Sequence, residues 1–83
     1  PVVAAMIGRA YLANGNERLA GVSIASALSA DATLAEAHLV NGEYQQAQGD
    51  LAKAKSEWQY VIDASDAPQW VRDRATTLLN SSQ

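Results

Sequence analysis

The chain has 83 residues, a net charge of -3, 48% hydrophobic residues and no cysteine. A domain of this size buries only roughly 60 to 65% of the surface of its unfolded chain, which argues against a deep enclosed active site. The hydrophobic fraction excludes intrinsic disorder, six Lys and Arg form no basic stripe for a phosphate backbone, and the missing thiols exclude disulfides and thiolate zinc sites. Nucleic acid is therefore not expected as a partner.

The first helix is expected from Val3, Ile7, Ala10 and Tyr11, which fall on one helical face. Asn14-Gly15-Asn16 then supplies a stop, a glycine that tolerates left-handed backbone and a new N-cap. A second helix turns Leu19, Ala20, Ile24, Ala27 and Leu28 inward. Thr33-Leu34-Ala35-Glu36 has the form of a capping box and opens a third helix that buries Ala37, Val40 and Tyr44. Gln48-Gly49-Asp50 repeats the turn with Asp50 as N-cap, and Leu51, Ala54, Trp58, Val61 and Ile62 form an amphipathic stripe. A fifth helix is expected from Asp66-Ala67-Pro68-Gln69, with aspartate as cap and proline in the tolerant first turn. It buries Val71, Ala75, Leu78 and Leu79, and the polar end Asn80-Ser81-Ser82-Gln83 is expected to fray.

A shift of 34 residues superimposes Gly8 on Gly42, Ala13 on Ala47, Gly15 on Gly49, Ala20 on Ala54 and Ala30 on Ala64. With Ala4-x-x-Ile7-Gly8-x-x-Tyr11, then Ala20, Ile24 and Ala27, the chain resembles a tetratricopeptide repeat, whose period is the same. The resemblance covers residues 1 to 68 and divides the chain into a repeat over 1–34, a repeat over 35–68 and a capping helix with its tail over 69–83. It implies an all-α fold of about five helices, a right-handed superhelix of antiparallel helix pairs. The second unit departs from the family pattern at His38, Asn41 and Gln45, and the proline that commonly ends a repeat is absent at Ala32 and delayed to Pro68. Asn41 and Gln45, one turn apart, can hydrogen-bond each other.

The family binds peptides or proteins in a groove lined by the first helix of each unit. The resemblance therefore implies contacts by Val2, Met6, Arg9, Leu12, Leu39, Val40, Glu43, Trp70 and Arg74, with Ala5, Ala13 and Gln46 beside them. A subgroup clamps the carboxylate of chaperone tails with lysine, asparagine and arginine. The matching positions here, Ala5, Arg9, Val40, Trp70 and Arg74, lack most of that clamp, so this activity is not expected.

The remaining polar and aromatic features read as structure. His38 is the sole histidine, which favours a packed imidazole over a metal ligand, and no metal or cofactor is expected. Trp58 lies in the apolar stripe of its helix and reads as core, whereas Trp70 falls outside the buried face of the fifth helix and points to the groove or its rim. Lys53, Lys55 and Glu57 read as a solvated face, and Asn80-Ser81-Ser82 is a weak glycosylation match. No nucleophile with a base beside it and no phosphate-cradling loop is present, so an enzyme is not expected.

Two functions fit: a protein- or peptide-binding adaptor, which the groove favours, or a self-assembling module that forms homo-oligomers through its repeat edges. The apolar first residues, Val2, Val3, Ala5 and Met6, suit either self-association or a missing upstream repeat, since solenoid ends need a polar outer face. No apolar run reaches the roughly 20 residues that cross a bilayer, so a soluble segment is expected and no membrane insertion. The compartment is open: the cytoplasm is slightly favoured, with an extracytoplasmic domain of an anchored protein as the alternative. The abrupt start at Pro1 is compatible with a fragment that has further repeats or an anchor before it.

Overall fold

The computed structural model describes residues 1–82, and among them the fold is all-α. Its five helices are α1 (Val2–Ala13), α2 (Glu17–Ala30), α3 (Ala35–Ala47), α4 (Leu51–Asp63) and α5 (Gln69–Ser81). None is long and apolar enough to cross a membrane. The most extensive packing joins α1 to α2 and α3 to α4. Helix α3 lies at the centre and touches all four others.

The 34-residue period governs the hydrogen bonds as well as the letters. At the end of α1 the Gly15 N–H donates to Leu12 O at 3.0 Å and the Asn16 N–H to Tyr11 O at 2.8 Å. At the end of α3 the Gly49 N–H donates to Gln46 O at 3.0 Å and the Asp50 N–H to Gln45 O at 2.8 Å. Both are Schellman closures around a glycine with φ of 77° and 85°, a conformation that β-carbon sterics disfavour in other residues. The residue after each glycine caps the next helix: Asn16 Oδ1 accepts from Leu19 N at 3.2 Å and Asp50 Oδ1 from Lys53 N at 3.0 Å. These turns agree with the sequence expectation.

The same period sets the packing within each pair. A β-carbon at Gly8 would lie 3.0 Å from Ile24 Cγ1, and 34 residues later one at Gly42 would overlap the indole nitrogen of Trp58. Each first helix thus omits a side chain where its partner helix supplies a large one. Trp58 is fully buried and clusters with Leu39, Ala54, Val61, Val71 and Ala75, while Ala5, Ala27 and Ala37 form a smaller cluster. Helix α5 spans Gln69–Ser81, which is Ala35–Ala47 plus 34, so it occupies the register of a third first helix.

The α1 face that carries Val3, Ile7 and Ala10 is outward: Val3 and Ile7 are 72% and 46% exposed and Ala10 is exposed, while the opposite side buries Ala5 and Gly8. Four local expectations fail. No capping box forms at Thr33, because its N–H and hydroxyl both donate to Asp31 Oδ1, at 3.0 and 2.8 Å. That interaction holds the Asp31 carboxyl below its usual range. Asp66 gives α5 no side-chain cap, since Pro68 O takes the first helical bonds, and Gln69 instead donates to Asp73 Oδ1 at 2.8 Å. At the C-terminus α5 continues to Ser81, whose hydroxyl donates back to Thr77 O at 2.8 Å; Gln83 lies outside the described residues.

The last failure is Glu57, which is part of a junction and not a freely solvated face. His38 Nδ1 lies 2.6 Å from Glu57 Oε2 of α4, and His38 Nε2 lies 2.7 Å from Ala32 O in the α2–α3 loop. Both partners are acceptors, so the fully bonded ring carries a proton on each nitrogen and is cationic. Tyr60 packs beside it with ring centroids 4.1 Å apart. The Glu57 bond raises the His38 pKa above 6.5, opposed by burial and aided by the Ala32 carbonyl and the charges of Glu57 and Asp31. A raised folded pKa gives stability that is complete below pH 6.5 and lost as pH rises through the folded value. The urea midpoint should therefore fall as pH is raised above 6.5, and the fall should flatten in His38→Gln. An equal slope in both proteins would contradict the cationic junction.

Candidate functional site

A cleft of about 410 Å³ opens where α1, α3 and α5 lie side by side. Its lining is Arg9, Leu12 and Ala13 from α1, Glu43, Gln46 and Ala47 from α3, and Arg74 and Leu78 from α5. The α1 and α3 contributions are the same three positions, 34 residues apart. They are spaced i, i+3, i+4, which places them on one face of the C-terminal turn of each helix. The turns and glycine contacts that repeat the helices thereby repeat the lining.

Charge in the cleft is mixed. Arg9 Nε lies 4.0 Å from Glu43 Oε1, beyond hydrogen-bond reach, and that oxygen is buried with no hydrogen-bond partner. Burial raises the Glu43 pKa, with Arg9 and then Arg74 opposing the rise. Two guanidiniums and one carboxylate leave the cleft net positive within an acidic chain. Gln46 Nε2 donates to Ser82 Oγ at 3.5 Å and ties the rim of α3 to the end of α5.

Of the residues expected to line a groove, Arg9, Leu12, Glu43 and Arg74 meet in this cleft. Leu39 and Val40 do not: both are fully buried, because α3 is packed from both sides. Met6 packs partly buried against the Ala5–Ala27–Ala37 cluster. Val2 and Trp70, 42% and 46% exposed, stand outside the lining near the starts of α1 and α5. Ala47 and Leu78 were not expected there. Ala47 carries the signal of its repeat mate Ala13, whereas Leu78 lies at the edge of the apolar face that α5 presents to the core.

The chain matches no family model, no curated protein and no solved structure.

The electrostatics of Glu43 give a stability test. Its folded pKa is raised above 4.5, so its stabilising contribution is complete below pH 4.5 and lost as pH rises through the folded value. Glu43→Gln should therefore be at least as stable as the native chain in urea at pH 7, with its advantage shrinking as pH falls toward 4.5. A variant less stable at pH 7 would mean that Arg9 and Arg74 outweigh the burial of the charge.

Proposed function

We propose that this chain is a tetratricopeptide-like interaction module that holds a segment of another protein in the α1–α3–α5 cleft. The observation that carries the reading is the cleft's construction from register-equivalent positions on successive first helices: Arg9, Leu12 and Ala13, then Glu43, Gln46 and Ala47. An open cleft built this way runs across helices and suits an extended peptide. Its polar groups are two guanidiniums, a carboxylate and a carboxamide, which favour recognition over reaction. Leu12 and Leu78 offer apolar contact, and Arg9 and Arg74 offer charge-assisted bonds to an acidic side chain. The preferred ligand is thus a peptide with an acidic residue close to an apolar one.

Selection of a random peptide library on the native chain tests the reading, with binding measured by fluorescence anisotropy. Selected peptides should be enriched in acidic residues and should bind Arg9→Ala/Arg74→Ala at least tenfold more weakly, a loss of about 1.4 kcal/mol. Both arginines line an open cleft, so the variant should keep native helicity. No enrichment, or binding that the two substitutions leave untouched, contradicts the assignment.

A further inference from the structure

The apolar stripe on the outer face of α1 is separate from the cleft. Val3, Ile7 and Ala10 are spaced i, i+4, i+7 and all are exposed. The chain contains this stripe twice more. Adding 34 gives Ala37, Asn41 and Tyr44 on α3, and adding 34 again gives Val71, Ala75 and Leu78 on α5.

Both of those copies face the helix pair that precedes them. On α3, Ala37 is fully buried in a cluster with Ala5 of α1 and Ala27 of α2, and Tyr44 lies so close to Gly21 of α2 that a β-carbon there would come within 3.0 Å of its hydroxyl. On α5, Val71 and Ala75 are fully buried in the cluster of Ala54, Trp58 and Val61 from α4, with Leu78 packed against it. The α1 copy is at least as apolar as that of α3, with Val3 in place of Ala37 and Ile7 in place of Asn41. Among the described residues nothing covers it.

We propose that the Val3–Ile7–Ala10 face of α1 docks a helical hairpin in the same 34-residue register. The hairpin presents small side chains as α1 and α2 present Ala5, Gly21 and Ala27 to α3. A second folded copy of this chain is a poor occupant, because both of its receiving faces are filled: that of α1 and α2 by α3, and that of α3 and α4 by α5. The face is distinct from the cleft, so it does not depend on the peptide-binding assignment.

The probe is a duplicate of residues 1–34 fused ahead of Pro1 of the full chain. It is compared with the same fusion carrying Val3→Glu and Ile7→Glu in the original copy alone. In the unextended chain this pair should barely move the melting temperature, since both side chains are exposed. The fusion should melt in one transition roughly 5 °C or more above the unextended chain, with slowed amide exchange in the original α1. The glutamate pair should abolish both gains. Docking is overturned if the fusion melts no higher or in two steps, if the gain survives the glutamates, or if the glutamates unfold the unextended chain. It is overturned equally if the unextended chain self-associates through Val3 and Ile7, which would assign the face to a second copy.

Discussion

The contact between Gly42 and Trp58 is the constraint on which the second half of the molecule rests. The indole sits where a β-carbon of α3 would otherwise be, which brings α3 and α4 close enough to enclose it completely. Its nitrogen is left buried without a hydrogen-bond partner, a cost that the burial of a tryptophan outweighs, since truncating one typically loses about 3–5 kcal/mol. The cluster around Trp58 is the surface on which Val71 and Ala75 seat α5. Helix α5 in turn brings Arg74 and Leu78 to the cleft, so the third wall of the site depends on a glycine in its middle helix.

The first unit solves the same problem with smaller parts. Gly8 faces Ile24 closely enough that a β-carbon there would crowd its Cγ1 at 3.0 Å, and the neighbouring cluster is alanine-rich. Identical turns and caps then set the two units in one register, so that a face of α1 and a face of α3 become neighbouring strips of a single surface. Repetition therefore makes the cleft. What distinguishes one strip from the next is the side chain at each repeated position, arginine at 9 and glutamate at 43, which gives the surface its alternating charge.

How much of this was legible in the sequence follows the range of each interaction. Asn14-Gly15-Asn16, Gln48-Gly49-Asp50 and the buried Trp58 could be read because a glycine stop, a capping side chain and an amphipathic stripe act within a few residues. The Asn41–Gln45 pair, bonded at 3.4 Å, was readable for the same reason. Periodicity revealed that α1 has an apolar stripe through Val3 and Ile7, but a stripe does not say whether a partner lies over it. The Thr33 box failed because Asp31, two residues earlier, takes both donors of the threonine. Arg9, Leu12, Glu43 and Arg74 were identified through the resemblance to helical repeats. Leu39 and Val40 were misplaced because the flanks of α3 that α5 and the first pair cover depend on the crossing of distant helices.

The most direct measurement of the account is a double-mutant cycle between positions 42 and 58, read by urea denaturation. Gly42→Ala in the native chain should cost about 1–3 kcal/mol, because the new methyl overpacks a filled site. In a Trp58→Ile background, which copies the tight but not overlapping Gly8–Ile24 pairing of the first unit, the same change should cost at least about 1 kcal/mol less. A coupling of at least about 1 kcal/mol would establish the glycine–indole contact as the constraint that seats α4 and α5. An equal cost of Gly42→Ala in both backgrounds would contradict it.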